Sequence, residues 1–553
     1  MQKSNMNIIN RRAFLTRSTK AGIAAGLASL VDIPFVMKRA LAEGNIGLNG
    51  KKVLFIWLRG ANDSLNSVIP AGDGQYATSR PNIGLPVSPL YTSTSGLAET
   101  FDAGANSTYG TTALALKNGF AALHPSLKFL SHVYNAGELA LIHRVGYAKQ
   151  SRSHFDSQRY WENGNPNNNI ASDGIFYRTI YESGLANTAP LTGVSIQSSL
   201  PLILRGSEAA MTNLSDPTRY NLLSIPDPTN APKFDASFAA ANGYPFPAKA
   251  YRNLLSLQYN NLQQTVSLFA QMNFTEAGNT FQDDIKTDAD ANWVPPAVTG
   301  GDSAKGYFLF PTTSDKNGGW RRPDNSVAGN KYVVNPNHQS FFNNLKAAAL
   351  VLNKTDAIIA GTELGGFDTH VNQGQATGSH PDLNRVIGWS LYALRKYFSN
   401  YADRATWNNV VVVTLSEFGR TSVENSDAGT DHAEAGVMWV AGGAVKGYGK
   451  STSGYGVFNC SDTEISGASS DWRNWFNNAP KSAMFGVSNG YLRRNTDYRS
   501  VLGEIIRKHL GATQGQLNRI IPAYASANEY LGSTTGGVSA TDGSWIRGEV
   551  GIL

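Results

Sequence analysis

The sequence predicts an α/β fold in which helices sandwich a mostly parallel sheet, with irregular insertions. The run Val410–Thr414 is β-branched and too short for a helix, which is typical of a fully buried strand in a covered sheet. From His338 onward, predicted strands alternate with amphipathic helices, the pattern of βαβ units. Polar clusters follow the predicted strands at their carboxyl ends, where open α/β sheets bind ligands. These observations together predict a site at one edge of the sheet.

Each element of this fold is predicted from its own local pattern. Short apolar runs predict strands, and apolar residues at helical spacing predict helices. Gly511, after the last predicted helix, is a typical helix-terminating glycine. In chain order, the predicted elements are strand Lys51–Leu58, strand Glu138–Val145, helix His338–Leu352, strand Ala357–Gly361, helix Leu383–Tyr401, strand Val410–Thr414, strand Gly436–Ala441 and helix Tyr498–Leu510.

The chain has 553 residues, more than one hydrophobic core of roughly 250–300 residues usually spans. We therefore expect a main domain over residues 43–515 that carries insertions near 165–335 and 444–489. Residues 516–553, rich in Gly, Ser and Thr toward their end, are expected to form a C-terminal extension.

Charge and cysteine content exclude several classes of function. The formal net charge of +6 is small for this length and is not visibly clustered apart from the N-terminus and short arginine pairs, so the sequence shows no nucleic-acid-binding footprint. Cys460 is the single cysteine, which excludes an internal disulfide and a metal site built from several cysteines. Any metal bound by the protein must rely on histidines and carboxylates.

The N-terminus has the pattern of an export signal. A twin arginine, Arg11-Arg12, precedes a modest apolar run over Ala21–Val31, and Ala40-Leu41-Ala42 offers a small-x-small cleavage site. We expect residues 1–42 to be a twin-arginine signal peptide, with the twin-arginine translocase as a partner during export and the mature protein periplasmic or secreted. The alternative is a basic amphipathic helix of the mature protein. No stretch approaches the ~20 apolar residues of a membrane span, so no stable span is expected.

Polar residues follow the first two predicted strands. Asp63 lies in the loop after Lys51–Leu58 and is placed to be a ligand, although an N-cap or Asx-turn role is the alternative. The segment after Glu138–Val145 carries Ser151, Ser153 and His154. Taken alone, Ser153 is expected to cap a helix, because a neighbouring histidine in sequence does not by itself activate a serine.

A further set of polar residues follows the later strands. Asp368 and His370 follow the strand Ala357–Gly361. Glu417, Arg420, Asp431 and His432 lie between Val410–Thr414 and Gly436–Ala441. Together with His154, these residues offer nitrogen and oxygen ligands suited to Zn, Mn or Fe. Such an ion would polarise an ester oxygen or lower the pKa of bound water. The alternative is that these histidines are solvated or hydrogen-bonded loop residues.

Five motifs carry a resemblance to a known family. They are LFIWLRGANDSLNSVIP, SHFDSQRYWENG, GGFDTH, LSEFGRT and GTDHAEAGVMWVAGG, in this order over roughly residues 50–515. Together they resemble the bacterial family DUF1501, which is in turn more distantly similar to the alkaline phosphatase/sulfatase superfamily of two-metal hydrolases. The resemblance implies an alkaline phosphatase-like fold.

The superfamily resemblance also implies roles for individual residues. His432 would be a metal ligand, Asp368 and His370 would complete the first metal site, and Asp63 would hold a second ion. Ser153 would then be the nucleophile, with Ser151 as the second choice.

The sequence departs from the superfamily at Glu417-Phe418-Gly419, where the related enzymes have Asp-His-Gly. Glu417 could replace the aspartate, but Phe418 cannot bind a metal. The second site is therefore short of a ligand unless His154 or Asp156 supplies it, so the sequence predicts one or two ions.

The function expected on this basis is an exported metal-dependent hydrolase of a phosphate or sulfate ester, with a small molecule or a polymer as substrate. Ser153 would attack the ester, with metal-bound water as the fallback. Arg420 and Arg152 would clamp the developing charge, because a guanidinium matches the geometry of phosphate or sulfate. Their alternative role is an ion pair with Glu417 or Asp156.

A second expectation comes from another class of function. The chain could be a non-catalytic secreted protein that keeps this fold to bind a glycan, a cell-wall polymer or a protein partner. Phe418 at a ligand position is its main support. A sulfatase with a formylglycine derived from Cys460 is not indicated, because the residues after Cys460 do not match the sulfatase motif.

Overall fold

The structure is a computed structural model, and it describes residues 46–47, 49–90, 112–147, 149–185, 191–207, 211–215, 309–310, 336–451, 454–461, 491–492, 494–522, 524 and 549–553. Several predicted segments lie wholly or mostly outside these residues. They are the signal peptide over 1–42, the insertions near 165–335 and 444–489, and the extension over 516–553.

The described strands form a nine-stranded sheet and a small three-stranded sheet. The strands are β1 (Lys52–Leu58), β2 (Val68–Ile69), β3 (Leu114–Ala115), β4 (Ala122–Leu123), β5 (Leu139–Gly146), β6 (Gly193–Ile196), β7 (Thr212–Leu214), β8 (Ile359–Leu364), β9 (Val410–Leu415), β10 (Gly436–Ala441), β11 (Val457–Phe458) and β12 (Thr496–Asp497).

The longest described helices follow β8 or precede it, as the alternating pattern predicts. The α-helices are α1 (Ser64–Ser67), α2 (Gln75–Ser79), α3 (Ser131–Asn135), α4 (His154–Asn163), α5 (Ile175–Glu182), α6 (Gln339–Lys354), α7 (Ser379–Asn400), α8 (Tyr498–Glu504) and α9 (Gln514–Ile520). Short 3₁₀ turns span Pro125–Leu130, Leu202–Leu204, Pro336–His338 and Trp407–Asn409, and a π-helical turn over Ile505–His509 continues α8.

The large sheet has the order β11-β5-β10-β9-β1-β8-β6-β7, and β12 also pairs with β5. Strands β7, β6, β8, β1 and β9 are parallel to one another, whereas β10 is antiparallel to both β9 and β5. The predicted α/β class with a mostly parallel sheet is therefore confirmed. Because β10 is reversed, its amino end lies at the same edge as the carboxyl ends of β1, β5, β8 and β9.

Strands β1 and β9, in the middle of the sheet, are buried at every residue and mostly apolar, because both faces of the sheet are covered. In β1, Leu54 and Ile56 pack into one hydrophobic core with residues of α6 and α7. The alternate residues Val53 and Phe55 pack into a second core with residues of α5, α8 and α9. Successive side chains of a strand point to opposite faces, so one strand contributes to both cores. Helices thus sandwich the sheet.

Element boundaries differ from the predicted ones by a few residues. Strand β8 begins at Ile359 and runs to Leu364, later than the predicted Ala357–Gly361, and α7 begins at Ser379, before the predicted Leu383.

None of the described helices combines the length and apolar character needed to cross a membrane.

Candidate metal centre

Four side chains from three separate segments of the chain meet at one edge of the large sheet. Asp368 and His370 follow β8, His154 begins α4 shortly after β5, and His432 lies just before β10. The Nε2 atoms of His154 and His370 each lie 3.0 Å from Nε2 of His432. Asp368 Oδ1 lies 3.0 Å from His370 Nε2, 3.2 Å from His432 Nε2 and 3.5 Å from His154 Nε2. Residues far apart in the sequence thus present nitrogen and oxygen atoms to a common point.

The other ring nitrogen of each histidine meets an acceptor. His432 Nδ1 donates to the carbonyl oxygen of Arg152 at 2.9 Å, and a carbonyl can only accept. His154 Nδ1 donates to Glu417 Oε1 at 2.8 Å, and His370 Nδ1 donates to Asp431 Oδ1 at 2.9 Å. With the hydrogen on Nδ1, each neutral ring directs its Nε2 lone pair toward the other two residues. Glu417 and Asp431, both predicted metal ligands, lie behind the histidines in this arrangement.

The carboxylates around the histidines are held in their ionised form. Burial would raise the pKa of Asp368, but the hydrogen bond and charge of Arg420, together with the neighbouring histidines, outweigh burial and lower that pKa to about 2. Burial would likewise raise the pKa of Glu417, whereas its hydrogen bond with His154 lowers it. The hydrogen bond from His370 lowers the pKa of Asp431. Each of these groups therefore accepts hydrogen bonds as a carboxylate at neutral pH.

The pKa values of two of the histidines are shifted in opposite directions. The hydrogen bond to Glu417 raises the pKa of His154, while burial, with Arg420 nearby, lowers the pKa of His432. Nε2 lone pairs 3.0 Å apart repel each other unless a proton or a cation lies between them. The arrangement therefore calls for a positive charge at the point where the Nε2 atoms meet.

The donor set fits a divalent metal ion. A tetrahedral Zn²⁺ with bonds of roughly 2.0–2.1 Å to nitrogen and oxygen holds its ligand atoms roughly 3.3 Å apart. The separations among His154 Nε2, His432 Nε2 and Asp368 Oδ1 lie between 3.0 and 3.5 Å, and these three residues form a group that could hold an ion. Their side chains are partly open to solvent, with Asp368 46% exposed, so a substrate could reach the site. His370 lies beside them as a fourth candidate ligand.

Arg420 connects the loops that carry these ligands. Its side chain is buried, and Nε donates to Ala61 O at 2.9 Å while Nη1 donates to Thr430 O at 3.0 Å. Nη2 donates to the carbonyl oxygens of Gly60 and Phe367 and forms an ion pair with Asp368. The guanidinium therefore orients Asp368 and fastens the loops after β1, β8 and β9 to one another. Among the ion pairs of the described residues, it contacts Asp368 rather than Glu417.

The remaining predicted residues lie around this centre. Ser153 is the N-cap of α4, since its side chain accepts from the Asp156 amide, as expected from the sequence alone. Ser151 Oγ accepts from the Ser153 amide at 3.2 Å. Arg152 is exposed, and its guanidinium hydrogen-bonds to the Tyr491 hydroxyl and lies 4.7 Å from the centre of that ring.

Asp63 is engaged in a separate buried network. Its Oδ2 forms an ion pair with Arg80 Nη1 at 2.5 Å and accepts from Gln373 Nε2 at 2.8 Å. Burial would raise the pKa of Asp63, but Arg80 lowers it to about 2. The contacts described for Asp63 thus join it to Arg80 and Gln373 rather than to the three histidines. Arg80 lies in a Gly- and Pro-rich stretch without periodicity, so no sequence signal indicated this ion pair.

Phe418 forms a wall of the site. It is buried, and its ring centre lies 4.8 Å from that of His154 and 4.9 Å from that of His432. Phe418 therefore packs against two of the histidines, and its ring offers no ligand atom.

The comparison with protein families gives a match over the part of the chain that contains most of the residues of this centre. Residues 324–454 match the sequence model of a family described as Protein of unknown function (DUF1501). The predicted DUF1501 resemblance is confirmed over these residues. This DUF1501 segment contains Asp368, His370, Glu417 and His432, whereas His154 lies outside it. No significant match is found among curated proteins or among solved structures.

Proposed function

We propose that this chain is an exported metal-dependent hydrolase acting on a phosphate or sulfate ester. The observation that carries the proposal is the convergence of three imidazole Nε2 atoms on the Asp368 carboxylate, with every Nδ1 held by an acceptor. Histidine ligands held in this way are typical of metal centres in enzymes. The position of the cluster at the carboxyl edge of a parallel sheet supports a catalytic role.

The residues that would hold the ion are His154, His432 and Asp368, with His370 beside them. A divalent ion of Zn, Mn or Fe, when bound, supplies Lewis-acid stabilisation of the charge that develops on an ester oxygen. This donor set would hold one ion. A second ion near Asp63 would need to compete with Arg80 for that carboxylate.

The chain's own residues would perform the other steps. Ser153 is the proposed nucleophile, with water as the alternative attacking group. Its hydroxyl oxygen accepts from the Asp156 amide, and because Ser153 is partly exposed its hydroxyl hydrogen would pass to solvent water when the oxygen attacks. Arg152, which is exposed beside the cluster, is the proposed contact for a non-bridging oxygen of the ester. Arg420 acts instead through Asp368, because its donors meet protein acceptors.

Two finer parts of the proposal concern fold and location. A nine-stranded, mostly parallel sheet covered by helices supports an alkaline phosphatase-like fold. The twin arginine and small-x-small site at the N-terminus support export by the twin-arginine route to the periplasm or beyond.

The first test is the metal content of mature protein purified from the periplasm, measured by elemental mass spectrometry. We expect one or two equivalents of Zn, Mn or Fe in the wild type and loss of the cluster's ion in His432→Ala. The matched control is His509→Gln, because His509 lies at the opposite edge of the sheet, bonded to Lys52 O. A folded wild type without metal, although metal was supplied, would contradict the proposal.

A second function, non-catalytic binding of a glycan, cell-wall polymer or protein, is favoured by one specific observation. Both ring nitrogens of His154 are directed at other groups, so this histidine does not act as a base for its neighbour Ser153. Metal-loaded protein would then be screened with aryl phosphates and aryl sulfates. Turnover that is lost in His432→Ala supports the hydrolase, whereas bound metal without turnover of any ester supports the binding protein.

A further inference from the structure

A polar cavity lies beside the metal centre at the same edge of the sheet. Its volume is about 290 Å³ and it is open to solvent. Its walls come from the residues just after β6, from the end of β8 and from the start of α6. Gly365, which lines the cavity, precedes Asp368 by three residues, so the two Cα atoms are at most about 11 Å apart. A single small substrate could therefore reach both places.

The lining of the cavity is rich in uncharged hydrogen-bonding groups. Carboxamides come from Gln197, Asn337 and Asn344, and hydroxyls come from Ser198 and Ser340. Carboxamides and hydroxyls both donate and accept hydrogen bonds, which suits a ligand that carries several hydroxyl groups. Phe341, which is largely buried, adds an apolar surface of the kind that packs against the C–H face of a sugar ring.

The charges around the cavity disfavour an anionic ligand. Glu363 is the carboxylate in its wall, and Arg59 Nε forms an ion pair with it at 2.9 Å. No lysine or arginine is among the described residues that line the cavity. Burial lowers the pKa of His338, so this imidazole is neutral at pH 7. A phosphate or sulfate group would meet no lysine or arginine in the wall itself, and Arg59 is already paired with Glu363, whereas a neutral hydroxyl could donate to Glu363.

One polar atom in the wall lacks a partner among the described residues. Gln197 is 4% exposed, and its Nε2 donates to Glu363 Oε2 at 3.3 Å. Its Oε1 is buried and accepts no hydrogen bond from the described residues. A buried acceptor without a donor costs free energy. Rotation of the Gln197 amide toward the cavity would let Oε1 accept from a ligand hydroxyl and recover that cost.

We propose that this cavity is a binding subsite for a neutral, hydroxyl-rich group, a saccharide or polyol. The subsite would hold the alcohol part of an ester while the anionic part lies at the metal centre. This role in turnover rests on the proposed hydrolase function. The binding of the hydroxyl-rich group does not, since none of the metal ligands lines the cavity.

The experiment measures direct binding of neutral probes to the mature protein. Glucose, galactose, N-acetylglucosamine and glycerol are titrated in turn, with saturation-transfer NMR as the readout. The variant Asn344→Leu removes a carboxamide from a partly exposed position of α6, so the fold should be retained. The matched control is Asn343→Leu, on the same helix but not in the cavity wall.

We expect at least one probe to bind the wild type and Asn343→Leu alike, and to bind Asn344→Leu about tenfold more weakly. His432→Ala should bind the same probe with unchanged affinity while losing its metal, which separates the subsite from the proposed hydrolase. The inference is overturned if no probe binds the wild type, whatever its metal content. It is also overturned if Asn343→Leu and Asn344→Leu weaken binding equally.

Discussion

At the scale of single residues, the candidate site depends on which ring nitrogen of each histidine carries the hydrogen. The acceptors behind His154, His370 and His432 are two carboxylates and a carbonyl, and each fixes the hydrogen on Nδ1. The Glu417 carboxylate is the most buried of these acceptors and also accepts from the Gly60 amide at 2.9 Å. Its negative charge should therefore strengthen His154 as a ligand.

Replacing Glu417 tests this contribution. We expect Glu417→Gln to weaken metal binding about 10- to 100-fold, since an amide oxygen orients the imidazole without its charge. Affinity would be measured by competition with a chromogenic chelator. Glu434→Gln, a carboxylate in the same β9–β10 connection, is the matched control and should leave affinity unchanged. Equal affinities of Glu417→Gln and the wild type would show that Glu417 does not support the metal.

At the scale of elements, the site forms only if the loops after β1, β5, β8 and β9 approach one another closely. The loop after β9 is also the loop that leads into β10. Hydrogen bonds hold these loops together: the Phe367 amide donates to Arg59 O at 3.1 Å and the Thr430 amide donates to Thr369 O at 3.0 Å. Gly60 has φ +108° and lies directly against the backbone of Asp368, so a side chain there would overlap the Asp368 amide. The loop after β1 therefore determines where the loop after β8 can lie.

A methyl group at position 60, in the loop after β1, should displace Asp368 in the loop after β8. We expect Gly60→Ala to lower the free energy of unfolding by about 1–3 kcal/mol, because alanine is strained at positive φ. It should also weaken metal binding by displacing Asp368. Both would be followed by denaturant unfolding and by metal titration. Gly365→Ala is the control, since a Cβ there meets no atom within 4 Å. A Gly60→Ala protein as stable as Gly365→Ala would show that the two loops do not constrain each other.

At the scale of the whole molecule, burial of histidines should couple stability to pH. Burial lowers the pKa of His124 and His143 to about 3 and that of His380 and His509 to about 4. Each would titrate near 6.5 when unfolded. Between these values the unfolded state binds more protons, so this part of the stability is complete above pH 6.5 and is lost as the pH falls to about 3–4.

The size of this effect can be isolated at one position. His509 Nε2 contacts Lys52 O at 2.9 Å, and glutamine can keep that hydrogen bond without titrating. Over pH 6 to 5, we expect the free energy of unfolding of His509→Gln to change less steeply than that of the wild type, by up to about 1.4 kcal/mol per pH unit. Urea unfolding at a series of pH values measures both slopes. Parallel curves would show that His509 titrates alike in the folded and unfolded states.

Periodicity and strand-end polarity determined the class of the fold and the edge of the sheet where polar residues gather, because both follow from local patterns of side chains. Val410–Val413 is a β-branched apolar run, and such side chains favour an extended, buried strand. The antiparallel direction of β10, which brings His432 to this edge, was decided only by tertiary structure. The same holds for the pairing of Asp63 with Arg80 and for the meeting of His154 with His432. These contacts join residues far apart in the chain, and their geometry is set by how the strands are ordered, a property that no local pattern contains.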